Sequence, residues 1–476
     1  MDRAFATPRI RRSPSLVVCL LAALGAAAAA PAAADSRAFV LTSDFTNGSL
    51  STVSLDTRAV SPDVATVYSD ARMRWYNGLL YVVNRFGQDN IQVIDPAAGF
   101  HTLRQFSVGN GSNPQDIAFV SPTKAYVTRL ASSRLLIVNP ATGDSLGAIS
   151  LAAFADADHV PEMGRLFRVG TTLFVELQRL ADFLPTDTSF VVAIDTRADT
   201  VLDAAPGVPG IQPIVLPGTN PTTTFEFDPA SRRLVIGCTG NYGANDGGIA
   251  WIDPVTLTSG GWAITEAALG GDVLDVVWGS ATRSFAIVSD AAFNTKLVAW
   301  NPTTGQSLGV LFAPGGFVLA DAALDERGEL YVCDNDFGAP GVFVFSAASG
   351  ALLAGPLDTG LPPIEVAFDH ASGGVAAPLL ATRREPLALA SPWPQPAAGA
   401  VSARLSLAYA ARVVVEILDL AGRRVRTIAA SEWPAGAREI VWDARDATGR
   451  GVPAGVYVMR ARAGEVSVSQ RVVVTH

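Results

Sequence analysis

NPQDIAFVSPTKAYVTRLASSRLLIVNPATG, residues 113–143, is the stretch whose reading decides the fold. A first run, 116–120, leads through the polar break Ser121-Pro122-Thr123-Lys124 into a second run at 125–128. A polar loop then precedes a third run at 135–138, closed by Asn139-Pro140-Ala141-Thr142-Gly143. Period-two apolar patterning between Gly, Pro and Asn marks short antiparallel strands.

Variants of this unit recur before residue 378. Aligned on the centre of the second run, they fall at Phe39, Tyr81, Tyr126, Phe174, Val235, Phe285 and Tyr331, with separations of 42, 45, 48, 61, 50 and 46 residues. A repeat at this period signals stacked supersecondary units, and seven copies predict seven blades of a β-propeller. The third run ends in Asp56, Asp95, Asn139, Asp195, Asp253, Asn301 and Ser346 in the successive copies. Asx and Ser side chains bond the main chain of their own turn, so these residues read as hairpin-turn formers. Repeats four and five carry insertions at 177–189 and 203–224, and on a repeat scaffold insertions gather on one face, often the binding face.

The ring needs closing. PPIEVAFDH at 362–370 is a first strand with no second after it, and AFVLTS around Phe39 is a second strand with no first. Pairing the two completes one blade from both ends of the propeller and leaves no long exposed edge. The propeller is thereby expected over 35–378.

Ahead of it, residues 1–34 combine Arg9, Arg11 and Arg12 with an apolar run and a terminal Ala32-Ala33-Ala34, the pattern of a secretory signal peptide. No later stretch reaches the roughly 18 apolar residues of a spanning helix. The net charge is −9 with only two lysines and no basic cluster after the leader, which argues against nucleic acid as partner. Beyond the leader only Cys238 and Cys333 remain, on repeats that are not neighbours, and two buried free thiols are expected.

LYVVNRFGQDNIQVIDPAAG at 80–99, together with the opening stretch, resembles the bacterial YVTN family of seven-bladed propellers. LDERGELYVCDNDFG at 324–338 is similar to related propellers that include sugar-acid lactonases. After residue 378 the texture changes: SPWPQP at 391–396 reads as a Pro-rich linker within 379–400, and alternating runs at 402–409, 413–419, 437–442, 456–461 and 466–474 read as a small β-sandwich over 401–476. Gly422 and Gly449 suit its hairpin turns, and Trp442 and Tyr457 suit its core. ILDLAGRRVRTI at 417–428 and VWDARDATGRGVPAGVYVMRARAG at 441–464 resemble the FlgD-like immunoglobulin-type domain, which also serves as a C-terminal sorting domain. That resemblance implies an extracellular or cell-surface destination and the type IX secretion machinery as a partner. The fold class is all-β: a seven-bladed propeller followed by an Ig-like sandwich.

Counting back about ten residues from each repeat centre gives Asp116, Glu226, Asp275, Asp321 and Glu365, five carboxylates around one axis. They either hold a divalent cation, Ca²⁺ being the best match to oxygen ligands, or accept main-chain N–H groups at strand starts. Arg72 and Arg165 are nearest in the two remaining repeats. Asp156, Asp158, His159 and Glu162 form a second acidic group, readable as metal ligands or as a solvated loop. Phe86, Phe183, Tyr242, Phe293 and Phe337 follow second strands and either grip a ligand or plug the gaps between blades. No nucleophile elbow or phosphate loop is found. The sequence therefore describes a secreted binding protein for an extracellular carbohydrate, peptide or protein, with a metal-dependent lactonase-like hydrolase or lyase as the alternative.

Overall fold

Apolar alternation becomes strand wherever the repeats predict it, and the burial of each strand follows its place in its sheet. A computed structural model describes residues 36–186, 188–369 and 387–475, apart from 390, 391, 398, 408–410, 421, 434, 435, 464 and 465. The expected signal peptide at 1–34, the expected propeller end near 378, and His370 and His476 lie outside the described residues.

Among the described residues seven successive sheets follow one another as the propeller's blades, each with four strands and the fourth with one extra. Blade 1 covers 37–67 together with Pro363–Phe368; blades 2 to 7 cover 71–107, 114–150, 163–215, 226–265, 272–312 and 319–357. All seven repeat centres lie on second strands and are buried. Leu79–Asn84 is buried almost throughout because sheets flank it on both faces, whereas the outermost strand of the same blade, His101–Ser107, is largely exposed. That contrast explains why each repeat shows only three apolar runs for four strands.

Blade 1 closes as expected. Arg37–Ser43 pairs antiparallel with Pro363–Phe368, setting Ala38 opposite Phe368, Val40 opposite Val366 and Leu41 opposite Glu365. Packing closes the same circuit. Apolar clusters lie between successive blades all the way round, including Val40 and Val53 with Tyr331 and Val342 between blades 7 and 1, and Phe39 and Leu50 with Met73 and Leu80 between blades 1 and 2. Each such side chain removed from water contributes about 1.5–3 kcal/mol, so the ring is held by its blade-to-blade seams.

The turns after third strands form as their chemistry dictates. Asp95 accepts the N–H groups of Ala97 and Ala98, Asp253 those of Val255 and Thr256, and Asn301 those of Thr303 and Thr304. In blade 1 the role passes from Asp56 to Ser54, whose hydroxyl accepts Thr57 N–H. Cys238 and Cys333 are buried free thiols.

The tail is a two-sheet sandwich: Leu387–Leu389, Val401–Leu407 and Gly436–Trp442 face Arg424–Trp433, Ala411–Leu418, Gly455–Ala463 and Val466–Val474. Trp442 and Tyr457 meet edge to face in its core at 5.3 Å, and the Tyr457 hydroxyl donates to Pro453 O at 2.8 Å. Two expectations change. The segment read as a linker supplies core: Leu387, Leu389 and Ala397 are buried, and Leu387–Leu389 pairs with Val401–Leu407. Arg424–Trp433 is a strand although its polar composition hides it, because it lies at the edge of its sheet.

Candidate functional site: the channel and the loop face

The five channel carboxylates tie five of the blades to the next one round. Glu365 of blade 1 accepts Met73 N–H of blade 2 at 2.9 Å, Asp321 of blade 7 accepts Val366 N–H of blade 1 at 2.9 Å, and Asp275 of blade 6 accepts Ala322 N–H of blade 7 at 3.0 Å. Asp116 of blade 3 accepts Leu166 N–H of blade 4 at 3.0 Å and makes a two-pronged pair with Arg74 of blade 2 at 2.8 Å for each prong. Glu226 of blade 5 is bonded by Trp278 N–H beside blade 6. At blade 2 the residue paired with a channel carboxylate is Arg74, two positions after Arg72, and Arg165 of blade 4 contributes its main-chain N–H to Glu176 at 2.6 Å.

Main-chain donors do not offset the whole cost of burial. Burial pushes Asp275 up to about 6, and it raises Asp321 well above the carboxylate range with help from Asp275 and Glu365. Glu226, open to the channel on one side, is pushed up to about 8 by lost solvation and then by Asp275; buried Glu176 rises to about 8 for the first of these reasons. Burial alone would lower Arg74, yet the charge of Asp116 holds it above its ordinary value. The channel beneath has a volume of about 290 Å³, with Arg74, Glu226, Asp321 and Glu365 among its walls.

Asp116, Glu226, Asp275, Asp321 and Glu365, expected as calcium ligands or as acceptors of main-chain N–H groups, each accept a main-chain N–H. Among the described residues no group of three or more His, Cys, Asp or Glu side chains is placed to hold a metal ion. The same holds for Asp156, Asp158, His159 and Glu162: Asp156 accepts the Thr186 hydroxyl at 2.6 Å, Asp158 accepts Val160 N–H at 2.7 Å, and His159 is exposed. In blade 7, Asp336 is exposed and accepts Gly338 N–H, so the end of the lactonase-like stretch is a turn that follows the strand Glu329–Asp334.

Aromatic residues crown the loops between second and third strands. Phe86, Phe183, Tyr242, Phe293 and Phe337 all lie there, and the structure adds Phe45 in blade 1, so six of seven blades present an aromatic side chain that is 57–86% exposed. They do not plug the seams between blades. Phe45 and Phe337 stack across blades 1 and 7 at 5.9 Å. Asx turns hold the loops: Asp44 accepts Thr46 and Asn47 N–H, and Asp290 accepts Ala292 and Asn294 N–H. Phe45, Phe183 and Phe293 sit in the left-handed region at φ of 68°, 64° and 58°. That conformation costs a non-glycine residue on the order of 1 kcal/mol or more.

Blade 3 breaks the crown, offering Leu130 and Ala131 where the others offer a ring. A pocket of about 950 Å³ opens there, walled by the loops of blades 2, 3 and 4. Phe86 and Phe183 stand in its walls, with Asp89, Asp158, Glu162 and Asp182. Asp89 is committed to structure, accepting Gly111 and Asn113 N–H at 2.7 and 2.8 Å. Glu162 is not: it is only 8% exposed, Oε2 accepts Leu180 N–H at 2.9 Å, and Oε1 has no hydrogen-bond partner among the described residues. Burial pushes its carboxyl up to about 7 against the pull of that N–H.

Residues 395–465 match the family profile of the FlgD Ig-like domain. Among solved structures the chain is similar to a functionally unknown protein from Desulfotomaculum acetoxidans DSM 771, with 14% identity, 70% of this chain and 99% of that one covered, and a TM-score of 0.47. It is also similar to the extracellular domain of a one-component system from B. thetaiotaomicron, with 9% identity, 92% and 61% covered, and a TM-score of 0.41. A third similarity is to apo AztD from Citrobacter koseri, with 10% identity, 86% and 98% covered, and a TM-score of 0.41. No curated protein matches the chain. The class reached is thus a β-propeller joined in one chain to an FlgD-type Ig-like sandwich, resting on the sheet order and the family match.

Proposed function

We propose that this chain is an exported bacterial binding protein of the YVTN type, with seven blades that present their aromatic loop face to an extracellular carbohydrate, peptide or protein. The observation that carries this reading is the repeated exposed aromatic in six of seven equivalent loops. An exposed Phe forgoes the 1.5–3 kcal/mol that its burial would yield, and three of these residues bear an unfavourable backbone conformation as well. Stability of the ring does not call for either feature; a recognition surface calls for both. The leader-like composition of 1–34 and the match of the tail to an Ig-like domain support export, with the tail serving for sorting through a type IX machinery or for attachment. Among the described residues no helix is long and apolar enough to cross a membrane.

The test is a binding panel of glycans, peptidoglycan and surface peptides, run with residues 35–476 and with a variant carrying Ser at positions 45, 86, 183, 242, 293 and 337. Binding by the native chain that the variant loses while keeping its unfolding temperature is the expected result. Failure of the native chain to bind any member of the panel, or equal binding by both, overturns the reading.

A further inference from the structure

The pocket at the gap in the aromatic crown has a chemistry of its own. Blades 2 and 4 flank it with Phe86 and Phe183, both exposed, and blade 3 between them contributes only Leu130 and Ala131, which leaves the space open. Four carboxylates and no Lys or Arg stand among its described lining residues. Arg179, the nearby cation, is not among the lining residues: its guanidinium donates to Thr188 O and lies over the Phe190 ring at 4.5 Å, while its charge still acts on Glu162. An anionic ligand would meet carboxylates, and no cation, along the described lining.

We propose that this pocket binds a small organic ammonium ion, with the Glu162 carboxylate as counter-ion and the Phe86 and Phe183 rings packed against the cation's alkyl groups. Glu162 is more than nine-tenths buried and has one oxygen without a donor among the described residues, which is the arrangement that a ligand cation completes. The faces of aromatic rings attract such cations, and desolvation strengthens the attraction. A bare metal ion would leave the rings unused and finds no converging set of three ligands among the described residues. The Glu162 carboxyl is raised first by burial and then by Asp158 and Asp156, against the pull of Leu180 N–H and of the Arg179 charge. Seven left-handed non-glycine residues, Asp89, Asn113, His159, Glu162, Arg179, Asp182 and Phe183, lie in the loops around this pocket, so its shape is bought with backbone strain.

This assignment rests on the loop face being the binding face and narrows it to one ligand class. The experiment is calorimetric titration of residues 35–476 with choline and with its neutral isostere 3,3-dimethyl-1-butanol at pH 8, where Glu162 is ionised. Choline is expected to bind at least about tenfold more tightly than the alcohol. Glu162→Gln, which keeps an acceptor for Leu180 N–H, and Phe183→Ala are each expected to weaken choline about tenfold or more, while Val310→Ala, at an exposed position on the outermost strand of blade 6, leaves it unchanged. Equal affinity for the two compounds, absence of choline binding at millimolar concentration, or indifference to Glu162→Gln in a variant of unchanged unfolding temperature overturns the assignment. Loss of choline binding alone, with the crown variant still abolishing binding to the panel, overturns the pocket and spares the wider reading; choline bound while the crown variant binds the panel normally does the reverse.

Discussion

In the propeller, Asp275, Asp321 and Glu365 are buried against main-chain N–H groups of the next blade and against one another. In the sandwich, Glu416 is equally buried but is held by Arg460 at 2.9 Å, Arg462 at 3.0 Å and Arg424 at 3.4 Å. The outcomes are opposite. Burial raises Asp275 and Asp321, whereas the hydrogen bond from Arg460, with the other two arginines, holds Glu416 below its ordinary value. A main-chain dipole satisfies geometry without cancelling charge; a guanidinium does both. Composition carries the same division, since residues 36–369 hold 34 acidic against 18 basic side chains and residues 387–476 hold 7 against 11.

The comparison breaks most visibly at Asp116, the one channel carboxylate with an arginine of its own. Asp116→Ala strands Arg74 and removes the acceptor of Leu166 N–H, and chemical denaturation of residues 35–476 should show a loss of about 3–5 kcal/mol. A loss below about 1 kcal/mol would deny the carboxylate its role between blades. Next in size is pH. Between the ordinary carboxylate values and about 8, folded Glu176, Glu226, Glu162 and Asp275 bind more protons than the unfolded chain, so raising the pH through this window favours unfolding. The propeller should lose at least about 3 kcal/mol between pH 5 and pH 8, read from its melting temperature; a flat or rising profile contradicts the burial argument.

Glu416 sharpens the contrast with a smaller change of opposite sign. Its stabilisation is present above the ordinary value of 4.5 and lost as pH falls through its lower folded value. Glu416→Gln should therefore cost about 1–2 kcal/mol at pH 7 and nothing once the native carboxyl is protonated, read as amide exchange in Ala411–Leu418. The smallest effect belongs to the crown: Phe45→Ser and Phe293→Ser should each shift stability by no more than about 0.5 kcal/mol, because their rings are exposed. A larger loss in thermal unfolding would make these rings part of the core.

Much of the fold was legible because second and third strands lie between neighbouring blades and must be apolar on both faces, as at Tyr81, Tyr126 and Tyr331. The outermost strands were not legible, since His101–Ser107 is exposed and its composition is that of a loop. Leu387–Leu389 was hidden by the prolines that follow, and Arg424–Trp433 by its arginines. Positions of the channel carboxylates followed from repeat spacing, but their partners are main-chain groups of another blade, which no side-chain pattern reveals. Phe45 escaped because the loop of blade 1 is a four-residue turn, with little to set it apart from an ordinary hairpin. Asp158 and Glu162 were visible as acids; that Phe86 and Phe183 flank the same cavity depends on which blade lacks an aromatic.

Blade 1 carries one more consequence. Its clasp joins Arg37 N to the Asp369 carboxylate at 3.1 Å, across 332 residues of chain. During synthesis the first three strands of that blade exist long before their partner, so the circle cannot latch until residue 368 has appeared. A chain caught before then is an open arc with an unpaired edge at Arg37–Ser43, the kind of edge on which another polypeptide can pair. Late latching keeps the polymer threadable for as long as it is being made, and makes truncation upstream of Pro363 a route to aggregation.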